Sequence, residues 1–197
     1  MRTWTGAAPV AVGAVTLAVM LSGCNFLEPA KGKTGSGAPS AKTDKTYRLG
    51  EPSPPQESTM QKSSGATFTV TPTKVQTGTK ADLDNSGLDK KKEDGPRVPV
   101  YVWATLTHKS GKAMELGDMD DDLVVKTNTG GRTRALIVLM GQAKWPNCPS
   151  FDTTKMLSAG QSEQTCRVFL IPEGQQVAAV QLSQGFNSEP LEWTVTN

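Results

Sequence analysis

Between residues 82 and 93 the chain reads DLDNSGLDKKKE. Asp82, Asp84, Ser86 and Glu93 fall at positions one, three, five and twelve of that run, with Gly87 at six. Those are oxygen-ligand positions of a calcium-binding EF-hand loop, with the glycine that its sharp turn requires. Three features oppose the reading. Position eight is Asp89, where an apolar side chain normally packs, and Lys90, Lys91 and Lys92 would repel a cation. Neither flank, VQTGTKA before or DGPRVPV after, carries a helical pattern. The run is therefore expected to be a solvated loop between the first two strands, with Asp82, Asp84, Ser86 and Glu93 as the residues to inspect for a metal. The cluster GDMDDD at 117–122 reads in the same way, as a solvated turn before a strand at Leu123.

His108 is the only histidine, so a Ser-His-Asp hydrolase would have to use it. No G-x-S-x-G elbow accompanies it. At the end of an apparent strand it reads as a surface or turn residue, and no enzymatic activity or cofactor is expected. The loop KWPNCPSF places Trp145, two prolines, Cys148 and Phe151 close together. Trp145 and Phe151 either cap the core or form a rigid aromatic knob able to anchor a partner.

Three cysteines are present. Cys148 and Cys166 read as a disulfide in an exported chain. One histidine and no C-x-x-C argue against a closed zinc site. Cys24 is different in kind. An apolar run from Ala7 to Leu21, preceded only by Arg2, is too short for a stable span and matches the h-region of a secretory signal. It ends in Leu21-Ser22-Gly23-Cys24, which resembles the lipobox of bacterial lipoproteins at all four positions. The resemblance implies cleavage before Cys24 and lipidation on its thiol. Two or three acyl chains give stable anchoring. The expected location is the outer face of the cytoplasmic membrane.

The signal peptide would then be 1–23. From 24 to 65 the sequence is rich in Gly, Pro, Ser, Thr and Lys and poor in large apolar residues. Such a stretch cannot bury enough surface to offset its chain entropy, so a disordered tether is expected, reaching about 35 Å on average. From 66 to 197 the pattern alternates. ATFTVTP sets Phe68 and Val70 against threonines. RVPVYVWATLTHKSG sets Val98, Val100, Val102, Ala104 and Leu106 on one face and Tyr101, Trp103, Thr105 and Thr107 on the other. Pro99 restricts that strand to an edge or its own first residue. DLVVKTNTGGRTRALIVLM reads as a hairpin turning at 128–131. TCRVFLI, with Cys166, Val168 and Leu170 facing the core, then QQVAAVQL and LEWTV complete the set. Short strands between frequent turns specify an all-β sandwich of one domain. A formal charge of +2 offers no concentrated basic face for nucleic acid.

The order of these pieces carries a resemblance. VPVYVWATLTHKSGKAMEL, then LSAGQSEQTCRVFLIPEGQQVAAVQL, then LEWTV is similar to the immunoglobulin-like domain of exported actinobacterial lipoproteins of the DUF4352 type. It implies an immunoglobulin-like antiparallel β-sandwich over roughly 66–197, with no cofactor and no known catalytic residues. The expected function is a membrane-anchored binding or interaction module for an envelope protein or ligand. The alternatives are an accessory subunit of an envelope complex and a hydrolase with an unrecognised site.

Overall fold

The longest strand shows why this sequence chooses sheet. From Arg97 to Ser110 β-branched and aromatic residues alternate, and every second side chain enters one core. The computed structural model describes residues 45–88, 95–137, 143–185 and 187–196. All of them belong to one compact unit, Lys42–Asn197. Its strands are β1 (Thr46–Arg48), β2 (Gln56–Glu57), β3 (Thr67–Thr77), β4 (Arg97–Ser110), β5 (Met114–Glu115), β6 (Leu123–Thr127), β7 (Arg132–Arg134), β8 (Met156–Leu157), β9 (Ser162–Pro172), β10 (Val177–Leu182) and β11 (Leu191–Thr194). One sheet has the order β1-β11-β10-β6-β7, the other β2-β3-β4-β9, and β5 pairs with β8. Val100, Val102, Leu106, Phe169 and Ile171 of the second sheet share a core with Leu123, Val125, Val180, Leu182 and Trp193 of the first. The expected all-β sandwich is the observed one.

Both sides of the sandwich are sealed by segments that change sheets. On one side β1 runs parallel to β11, pairing Tyr47 with Trp193. The chain then turns at Gly50, whose φ of +91° suits a residue without Cβ. Gly50 N–H donates to the Pro72 carbonyl at 2.8 Å and Ser53 N–H to that of Val70 at 2.9 Å, and β2 joins β3. On the other side β7 pairs with β6, and Leu136 N–H then donates to the Val168 carbonyl of β9 at 2.7 Å.

Residues 45–65 therefore belong to the folded domain, not to the tether in which composition placed them. Besides β3, their partners lie far along the chain. The Tyr47 ring packs 5.5 Å from that of Trp193, and the Trp193 indole N–H donates to the Glu51 carbonyl at 2.8 Å. Backbone hydrogen bonds and a single aromatic contact leave no alternating pattern to read. A chain of 66–197 should accordingly be less stable than 45–197 by at least about 3 kcal/mol, since one large buried ring is worth roughly 1.5–3 kcal/mol and each hydrogen bond roughly 0.5–1.5. Urea unfolding of the two chains checks this, and equal midpoints would count against it.

Two further corrections concern local chemistry. Pro99 sits inside a central strand, flanked by β3 and β9. The β3 ladder stops at Thr77–Val100, so the N–H that proline lacks falls just past its last pair. The expected loop at 82–93 begins instead as a short helix, α1 (Lys80–Asn85). Thr79 and Asp82 form a capping box that holds its first turn, a signal present in the sequence as Thr-x-x-Asp. Both the hairpin turn at 128–131 and the separate strands β9 and β10 agree with expectation, although β9 and β10 lie in different sheets.

Candidate functional site

The outer face of the β2-β3-β4-β9 sheet carries a second apolar cluster, and it organises the site. Tyr101 of β4 and Cys166 and Val168 of β9 point outward from the sheet. Leu83 of α1 covers them from one direction, and Trp145 and Cys148 from the loop after residue 143 cover them from another. The Tyr101 and Trp145 rings meet edge-on at 6.2 Å. Cys166, Val168 and half-buried Leu170 thus face this cluster rather than the core between the sheets, which takes Phe169 and Ile171. A strand apolar on both faces does not reveal which face is which.

Cys148 and Cys166 form a disulfide with Cα atoms 5.4 Å apart. It fixes the loop onto β9, as the sequence predicted. Trp145 is only 8% exposed, so it is a wall of the cluster and not a protruding knob. Phe151 is half-buried, with the Arg167 guanidinium carbon 4.8 Å above its ring. The two aromatic candidates and both cysteines therefore meet in one place. Between the loop and β9 they line a cleft of about 750 Å³, with Leu136, Val168, Lys144, Ser150, Thr153 and Arg167.

Beneath the cleft lies an ion pair that sequence reasoning missed. Asp120 is fully buried, contrary to the solvated turn expected of GDMDDD, whereas Asp121 and Asp122 are exposed. Arg167 Nε donates to both Asp120 carboxylate oxygens at 3.0 Å, and its Nη2 donates to Oδ1. Thr165 Oγ1 donates to Oδ2 at 3.2 Å. Burial pushes the Asp120 carboxyl up, and the hydrogen bonds from Arg167 and Thr165 pull it part of the way back. A cue was available: Thr165 and Arg167 are polar residues on the face of β9 that carries Phe169 and Ile171.

The residues inspected for calcium have local uses. Asp82 Oδ2 accepts from Thr79 N–H at 2.7 Å, Asp84 pairs with Lys80 at 2.6 Å, and Ser86 Oγ donates to the Leu83 carbonyl at 2.8 Å. Asp82 and Asp84 stand on a helix, where their oxygens serve its cap and its flank instead of converging. Glu93 and Cys24 lie outside the described residues. His108 is fully buried on the inner face of β4, with no described hydrogen-bond partner at either ring nitrogen. It is not the surface residue that was expected.

A second groove, about 650 Å³, opens where the two sheets part, lined by Glu57, Asp118 and Asp122 and by Arg132 and Arg134. Its charges are of both signs, and Phe68 is its only described aromatic residue. Burial, with Glu115 nearby, pushes the Asp118 carboxyl up. The disulfide-side cleft combines aromatic walls with charge of one sign and is the stronger candidate.

Fold and site together define a β-sandwich with a disulfide-pinned surface cleft. No family model matches the chain, and no curated protein matches it in sequence. Among solved structures it is similar to MPT63, a secreted protein of Mycobacterium tuberculosis, with a TM-score of 0.50 and 14% identity over 76% of this chain and 96% of that one. An uncharacterised β-sandwich protein of Clostridium difficile 630 is matched with a TM-score of 0.44 and 12% identity, over 86% of this chain and all of the other. At 14% identity the first likeness shows a shared fold, and no residue role carries over from it.

Proposed function

We propose that this protein is an extracytoplasmic lipoprotein of the DUF4352 type, held on the membrane by acylated Cys24, and that its folded domain is a binding module. The observation that carries the binding role is the cleft beside Cys148–Cys166, whose size and mixed apolar and polar walls suit a ligand. The disulfide keeps the loop wall fixed, which lowers the ordering cost of binding. Among the described residues no helix is long and apolar enough to cross a membrane. What supports lipid attachment is the lipobox-like Leu21-Ser22-Gly23-Cys24. Buried His108 speaks against a Ser-His-Asp hydrolase built on that residue.

The anchoring half has a direct test. Cells fed an alkyne-tagged fatty acid should label the wild-type protein and leave Cys24→Ala unlabelled, with the variant released from the membrane fraction. Unlabelled wild-type protein, or a variant that still sediments with membranes like wild type, would place the anchor elsewhere or remove it.

A further inference from the structure

The polar groups of the cleft are not neutral toward ligand charge. Its two charged lining residues, Lys144 and Arg167, are both cationic, and no carboxylate is among its described lining residues. Arg167, with 19% of its side chain exposed, is held in place by Asp120. Asp120 engages Nε and Nη2 side-on, which leaves Nη1 on the far edge of the guanidinium, where no described residue bonds it. The Phe151 ring packs against the guanidinium, 4.8 Å from its central carbon. Ser150 and Thr153 add hydroxyls to the same lining, and Leu136, Trp145 and Val168 supply apolar surface.

We infer that the cleft takes a small amphipathic organic anion, its carboxylate or sulfonate on Arg167 Nη1 and Lys144 and its apolar body against Trp145 and Val168. The inference rests on the cleft being the binding site. Charge complementarity chooses the occupant: an anion gains a charge-assisted hydrogen bond from an arginine already oriented by its other edge, and a neutral molecule of equal shape does not. A cleft of about 750 Å³ falls within the range of small-molecule sites, roughly 300–1,000 Å³.

The test uses two fluorescent naphthalenes that differ mainly in one charge, 8-anilinonaphthalene-1-sulfonate and neutral N-phenyl-1-naphthylamine. The protein is the exported chain carrying Cys24→Ala, so that no acyl group competes for the probe. The sulfonate should bind saturably with one-to-one stoichiometry, at least about tenfold more tightly than the neutral dye. Lys144→Ala, at an exposed position, should weaken the sulfonate severalfold and leave the neutral dye unchanged. The paired change Asp120→Asn with Arg167→Gln should weaken it further without stranding a buried charge. Ser150→Trp should plug the cleft and abolish binding of both dyes. Equal affinity for the two dyes would overturn the anion preference and leave the cleft standing. Dye binding indifferent to Ser150→Trp would remove the cleft itself, and absence of saturable sulfonate binding would overturn the proposal.

Discussion

Asp120→Ala should destabilise the domain by about 3–5 kcal/mol, because it leaves the Arg167 guanidinium largely buried without its counter-charge. In a domain of this size that lowers Tm by at least roughly 6 °C. The effect belongs to the stranded charge and not to the worth of the pair. Replacing both partners, Asp120→Leu with Arg167→Met, should therefore recover most of the loss. The pH dependence follows from the same balance. Burial raises the folded-state pKa of Asp120 above its unfolded value, so the native state binds this proton more tightly. The contribution of Asp120 to stability is then fully present below the unfolded value and is lost as pH rises through the folded one. Acidification from pH 7 to about pH 5 should not weaken the fold through this residue. Urea unfolding of wild type, Asp120→Ala and the double variant across that range checks every part. A double variant as unstable as Asp120→Ala, or a wild-type advantage over the double variant that shrinks on acidification, would contradict it.

Removing the disulfide is the second large effect. Cys148 and Cys166 are 18 residues apart, and closing a loop of that length in the unfolded chain is worth about 3 kcal/mol. The double change Cys148→Ser with Cys166→Ser should lower stability by roughly 2–4 kcal/mol and Tm by roughly 4–16 °C. The two-sheet core contains neither cysteine, so the far-ultraviolet signature of the sandwich should survive. The second cluster should loosen locally. It buries the Tyr101 hydroxyl and the Trp145 indole N–H without described partners, and it relies on the bridge to keep the loop seated. Faster amide exchange at 143–151 and Trp145 emission shifted to longer wavelength would show that loosening. An unchanged Trp145 environment would mean that packing alone holds the loop.

The core was legible because β4 announces it: five alternating apolar residues from Val98 to Leu106 can point only one way. The disulfide was legible from compartment and cysteine count, and Trp145 and Phe151 from their place in a proline-flanked loop. Other features hid for physical reasons. Segment 45–65 takes its order from strands more than a hundred residues away in sequence, such as β11, and its own composition resembles a tether. α1 is too short for periodicity and is marked only by Thr79 and Asp82. Asp120 stands beside exposed Asp121 and Asp122, and its contacts with Arg167 and Thr165 across the fold distinguish it. His108 continues the inward face of β4 one step beyond Leu106, where a polar residue suggested that the strand had already reached the surface.

Whether ligand meets the cleft beside Cys148–Cys166 can be read from a photoreactive side chain placed there. Benzoylphenylalanine placed at Ser150 on the cleft, and separately at Lys112 on an exposed turn after β4, would be irradiated in living cells of the native host. A discrete adduct is expected from Ser150 that Lys112 does not give and that Phe151→Ala diminishes. Matching adduct patterns from the two positions, or none from Ser150 in correctly folded protein, would contradict it.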